Sequence, residues 1–108
     1  MKGLFIEAPV FQRLLPNYLT DDDYCRLQQA LLANPLAGVV IQGTGGIRKV
    51  RWAPERTGKR GGVRVIYYWF GAKCRFYMLT LYKKGEVSDL SPSEKKDLKQ
   101  LVEVFENG

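Results

Sequence analysis

From Val63 to Phe70 the chain reads Val-Arg-Val-Ile-Tyr-Tyr-Trp-Phe, and Arg64 is the single charge in the run. β-branched and aromatic residues fill both alternating sets, the pattern of a central sheet strand. Gly71-Ala72-Lys73 predicts a short hairpin connection, and Cys74 to Tyr82 predicts the next strand. Ile47 to Trp52 predicts a third strand. Alternation there puts Lys49 and Arg51 on one face and Arg48, Val50 and Trp52 on the other. Gly43 to Gly46 reads as a turn or flexible loop before this strand, and Pro54 to Gly62 as a cationic, Gly-rich loop after it.

The flanks supply helices. Leu4 to Ala8 reads as a strand ended by Pro9, and Val10 to Leu15 as a short helix closed by Pro16. Thr20 is placed to cap a helix whose first turn holds Asp21, Asp22 and Asp23. Tyr24, Leu27, Ala30 and Leu31 form its apolar stripe, and Asn34-Pro35 ends it. Ser91-Pro92-Ser93-Glu94 is a strong helix start, followed by Leu98, Leu101, Val102 and Phe105 at helical spacing. That last stripe must be buried, on its own sheet or on a partner. The expected fold is a single α+β domain of order β-α-α-β-β-β-α. Its sheet is expected to be twisted and mainly antiparallel, with the helices packed on one face and part of the other left open.

Charge is strongly polarised along the chain. Residues 43 to 84 hold eleven cations against one acid, Glu55, while the remaining residues hold six cations against ten acids. The total is +6. Such a balance points to a polyanionic partner met by one face. No apolar run is long enough for a membrane span, and the start from Met1 is too short in apolar residues for a signal peptide. A cytoplasmic protein without membrane contact is therefore expected. Cys25 and Cys74 form no CxxC pair and read as reduced, mostly packed thiols. With no histidine, a zinc site has no donor set, and neither metal nor cofactor is expected. Gly43 to Gly46 lacks the Lys-Ser/Thr ending of a phosphate-binding P-loop.

Three segments carry a resemblance. They are Gly43-Thr44-Gly45-Gly46-Ile47-Arg48-Lys49-Val50-Arg51-Trp52, then Gly58-Lys59-Arg60-Gly61-Gly62-Val63-Arg64-Val65-Ile66-Tyr67-Tyr68, then Leu79-Thr80-Leu81-Tyr82-Lys83-Lys84. In order and spacing they resemble the RelE superfamily of toxin–antitoxin proteins, most of all its HigB branch. The second is the most specific, with an arginine two to four residues before an aromatic in a strand just past a Gly-rich basic loop. The resemblance implies a small RelE-like fold and a ribosome-dependent mRNA endonuclease. It also implies as partners the ribosome decoding site with its mRNA and a cognate antitoxin of helix-turn-helix type, through which operator DNA is reached only indirectly.

That activity is compatible with a chain lacking histidine. RNA is cut when its own 2′-hydroxyl attacks the adjacent phosphate, and cations align the groups and stabilise the developing charge. Arg64 matches the family's strand arginine and is expected to hold the phosphate in the transition state. Lys49 is a candidate base or phosphate ligand, and Arg51 a phosphate ligand. Lys59 and Arg60 are candidate RNA contacts from the Gly-rich loop. Lys83 or Lys84 is a candidate for stabilising the leaving group, and Tyr82 for stacking on a base or donating a proton. Many relatives carry a tyrosine or histidine several residues later, where this chain has Ser88-Asp89-Leu90. Of Tyr67, Tyr68, Trp69, Phe70 and Trp52, one at most is expected to touch RNA, the rest being core. Glu55, Glu86 and Asp89 are charge compensators. Two alternatives stand beside the nuclease: a ParE-like inhibitor of DNA gyrase, whose relatives generally lack such a cationic cluster, and a non-catalytic RNA-binding module.

Overall fold

In the computed structural model, which describes residues 3–53, 62–86 and 90–107, the aromatic run lies at the centre of the sheet. The elements in chain order are β1 (Leu4–Glu7), α1 (Pro9–Leu14), α2 (Asp21–Ala33), β2 (Val39–Val40), β3 (Arg48–Trp52), β4 (Val63–Phe70), β5 (Arg75–Lys83) and α3 (Pro92–Asn107). This is an α+β fold of three helices and a five-stranded mixed sheet ordered β1-β5-β4-β3-β2. Strand β1 runs parallel to β5, and the other neighbours are antiparallel. The short edge strand β2 was not expected from the pattern: two valines are too brief a run to signal it.

The helices do not share one face, which corrects the expectation. Phe11 of α1 and Leu27 and Leu31 of α2 pack with Val63, Val65, Tyr67, Phe76 and Met78. Val102 of α3 packs on the opposite side, with Ile47, Ile66, Tyr77 and Leu79. The reason is that β4 and β5 are apolar on both faces. Tyr77 and Leu79 are fully buried only because α3 covers them. The Tyr77 ring stacks on Phe105 at 4.8 Å, and its hydroxyl donates to the Phe105 carbonyl at 3.4 Å.

Both long helices start as their sequences dictate. The Thr20 hydroxyl accepts from the Asp23 N–H at 3.1 Å, and the Asp23 carboxylate accepts from the Thr20 N–H at 3.3 Å. Ser91 and Glu94 exchange the same two bonds at 3.1 and 3.0 Å, which hold the Glu94 carboxyl below its ordinary pKa. Thr20→Ala should cost about 1 kcal/mol and lower the melting temperature by roughly 4–8 °C in a thermal scan. An unchanged midpoint would show that tertiary packing alone sets the helix end.

Between β4 and β5 the register shifts. Ile66 faces Thr80 but Tyr67 faces Met78, so Leu79 is an extra residue in β5. This bulge reverses the alternation beyond it. Without it, Tyr82 would share a face with Phe76 and Met78. With it, Tyr82 joins the α3 side and Leu81 the α1 and α2 side. The cysteines also depart from expectation. Both are exposed, Cys25 on the outer side of α2 and Cys74 in the β4–β5 turn with a left-handed φ of 51°. Among the described residues no helix is long and apolar enough to cross a membrane.

Candidate functional site

Strand register assembles the cations. Lys49 of β3 faces Ile66, which faces Thr80, and Arg51 faces Arg64, which faces Tyr82. Residues opposite one another point to the same side of a sheet, their Cβ atoms about 5 Å apart. Lys49, Arg51, Arg64 and Tyr82 therefore lie in two adjacent rows on the α3 side of the sheet. Arg51 is exposed and Arg64 half-buried. One Arg64 guanidinium nitrogen donates to the Gly62 carbonyl at 3.2 Å, which aims the fork along the strand end. Like charges directly opposite destabilise a strand pair. Among the described residues no ion pair joins either arginine to an acid.

The neighbouring cation Arg48 does something else. Its guanidinium donates to the carbonyls of Leu36 (2.9 Å) and Gly38 (3.4 Å) and ties down the segment before β2. The Tyr67 hydroxyl is shared between the carbonyls of Pro35 and Ala37, at 2.9 and 2.8 Å, and burial pushes its pKa up to about 12. Gly38 then passes so close to β3 that a Cβ there would lie 2.2 Å from the Lys49 carbonyl oxygen. The loop from Ile41 to Ile47 is pinned from inside. Ile41 N–H donates to the Ile47 carbonyl at 2.8 Å, and the buried Thr44 hydroxyl donates to Ile41 and accepts from Ile47. The Gly43 to Gly46 stretch is thus a built turn, with positive φ at Gly43, Gly45 and Gly46.

These supports shape a groove of about 230 Å³ on the α3 side. It is lined by Val39, Val40, Ile41 and Leu90 together with Gln42, Lys49, Lys95 and Tyr82, and Val39 shares the face of Lys49. Among the described residues no carboxylate lines it. A second groove of about 260 Å³ lies across Tyr82, and there Glu86 and Glu94 join Leu14 and Tyr18. Tyr82 is thus the divide between a lysine-lined and a glutamate-lined groove.

Lys83 separates from this cluster. Lys83 faces Val63 and lies on the α1 side, its ammonium 5.9 Å from the centre of the Tyr18 ring. The Glu86 carboxylate accepts from the Lys83 N–H (2.6 Å) and the Tyr18 hydroxyl (2.9 Å). Those bonds lower the Glu86 pKa and raise that of Tyr18. Lys84 is exposed, and alternation returns it to the Arg64 side of the strand end. Lys59, Arg60, Glu55, Ser88 and Asp89 lie outside the described residues. Trp52 faces Val63 on the α1 and α2 side, away from Lys49 and Arg51. Tyr68 stacks on Tyr77 and donates to Glu106 at 3.2 Å, while Trp69 and Phe70 pack on Phe76 and Tyr77. Tyr82 is the aromatic that lies with the cations.

Sequence reading missed Lys95 and Gln42. A signal for Lys95 existed: it lies three residues before Leu98 and seven before Val102, on the line of the apolar stripe. A cation there is carried onto the sheet face when the stripe docks. Among the described residues no group of three or more His, Cys, Asp or Glu side chains comes together to hold a metal ion. No protein-family model matches the chain.

Proposed function

We propose that this chain is the toxin of a toxin–antitoxin pair, with a RelE-like fold of the HigB branch, and cleaves mRNA on the ribosome. The observation that carries the reading is the Arg51–Arg64 pair, directly opposed across two strands and, among the described residues, joined to no acid by an ion pair. A phosphate group relieves that repulsion and accepts both guanidinium forks. In this reading the RNA 2′-oxygen attacks phosphorus and the bond to the 5′-oxygen breaks, leaving a cyclic phosphate and a 5′-hydroxyl. Arg64 and Arg51 stabilise the charge on the non-bridging oxygens. Lys49, one row away, assists at the attacking hydroxyl, and Tyr82, in the Arg64 row, at the leaving oxygen. Lys83, directed at Tyr18, stands outside the group. With few groups suited to proton transfer near neutral pH, the chain depends on the ribosome to align its substrate, and a cognate antitoxin restrains it.

Induction of the protein followed by mapping of mRNA 5′ ends tests the reading. Cuts bearing 5′-hydroxyls are expected during translation and should vanish when initiation is blocked. Growth arrest with DNA damage and no such cuts would sink it, in favour of a gyrase-directed inhibitor.

A further inference from the structure

We propose that the groove between β2, β3 and α3 is a nucleotide subsite beside the cleavage point, with Lys49 and Lys95 holding a backbone phosphate and Gln42 reading the base edge. This deepens the function proposed above and rests on it.

Two lysines from separate elements line the groove, Lys49 from β3 and Lys95 from α3, and among the described residues no carboxylate does. Such a site calls for an anion. Val39, opposite Lys49 on the same face, leaves an apolar side chain 60% exposed there. An exposed apolar side chain beside cations suits a ligand with one flat apolar face and one charged group, which is a nucleotide with its base turned out of the stack. The Gln42 amide offers both a donor and an acceptor, as a base edge does. The groove also adjoins the chemistry, because Lys49 lies one row from Arg51 and Arg64. The glutamate-lined groove across Tyr82 repels phosphate, so the strand has one side on which to run. Lys95 is set in place by the docking of α3, whose Leu98 and Val102 lie on the same line of the helix.

The test is fluorescence anisotropy with a labelled, 2′-O-methylated RNA hexanucleotide, which cannot be cut. Lys95→Ala should weaken binding about tenfold, the worth of one charge-assisted contact. The slope of log affinity against log salt should become shallower by about 0.7. Lys95→Arg should recover most of the loss. Gln42→Ala should alter the ranking of the four homohexamers while leaving the salt slope in place. Lys95→Ala binding as tightly as the parent chain overturns the subsite, as does a parent chain that binds no RNA. Equal affinity for a hexaglutamate peptide overturns the nucleotide assignment. Cleavage on translating ribosomes is scored separately. Binding that depends on Lys95 without any cleavage leaves the subsite standing and removes the nuclease, whereas cleavage with Lys95-independent binding does the reverse.

Discussion

Replacing Arg64 with alanine is expected to slow the proposed mRNA cleavage about 10²–10³-fold, the loss seen when one preorganised charge donor is taken from a transition state. The fold should be unaffected. Arg64 is half-buried in a strand and faces Arg51, so its removal relieves a like-charge contact. Among the described residues its guanidinium donates to the Gly62 carbonyl. Melting temperature should therefore hold or rise slightly while activity collapses. Arg64→Lys should recover only part of the rate, because an ammonium is a point charge and cannot present a planar fork to two phosphate oxygens. Arg51→Ala should weaken substrate binding more than it slows the step. Cleavage of ribosome-bound mRNA by purified variants, with melting curves on the same samples, reads all three. Full activity in Arg64→Ala would remove Arg64 from the site. A fall in stability matching the fall in activity would make it a structural residue.

The largest loss of stability is expected from Phe76→Ala, at about 3–5 kcal/mol. Set against a total of about 5–15 kcal/mol for a domain, this is enough to leave part of the population unfolded. Phe76 is fully buried in β5 at the meeting point of several elements. Phe5 of β1 stacks on it at 4.6 Å, Trp69 of β4 lies 4.5 Å away, and Tyr67 lies at 6.2 Å. A Cβ on Gly3 would come within 3.1 Å of the ring, so the space around it is already filled. Truncation leaves a cavity that four aromatic and backbone neighbours cannot collapse into. Strand β1 should loosen first, because it pairs with β5 alone. Denaturant titration measures the effect, and Phe76→Leu should cost less because it retains most of the volume. A loss below about 1 kcal/mol for the alanine variant would show that the cluster repacks.

Local chemistry in this chain could be read directly. Thr20 and Ser91 start helices because each sits three residues before an acid that returns its hydrogen bond. Lys49 and Arg51 share a face because strand side chains alternate, and Val63–Phe70 is a central strand because both its alternating sets are apolar. These are properties of neighbours along the chain, and they carry the cationic strand rows with them.

The grouping of those rows with the rest of the site was decided between elements. Alternation alone turns Tyr82 to the wrong side and Lys83 to the right one. The extra residue at Leu79 exchanges them, and a bulge depends on which residues two strands bring opposite each other. The choice of sheet face for α3 was equally nonlocal. Its apolar stripe fits either face or a partner, and the aromatic residues left uncovered by α1 and α2 settle where it docks. That choice delivers Lys95 to the groove beside Lys49. Polarised charge and strand order are thus written along the chain. Which cations converge depends on register and on which buried surface each helix must cover, because those energies arise from contacts between residues far apart in sequence.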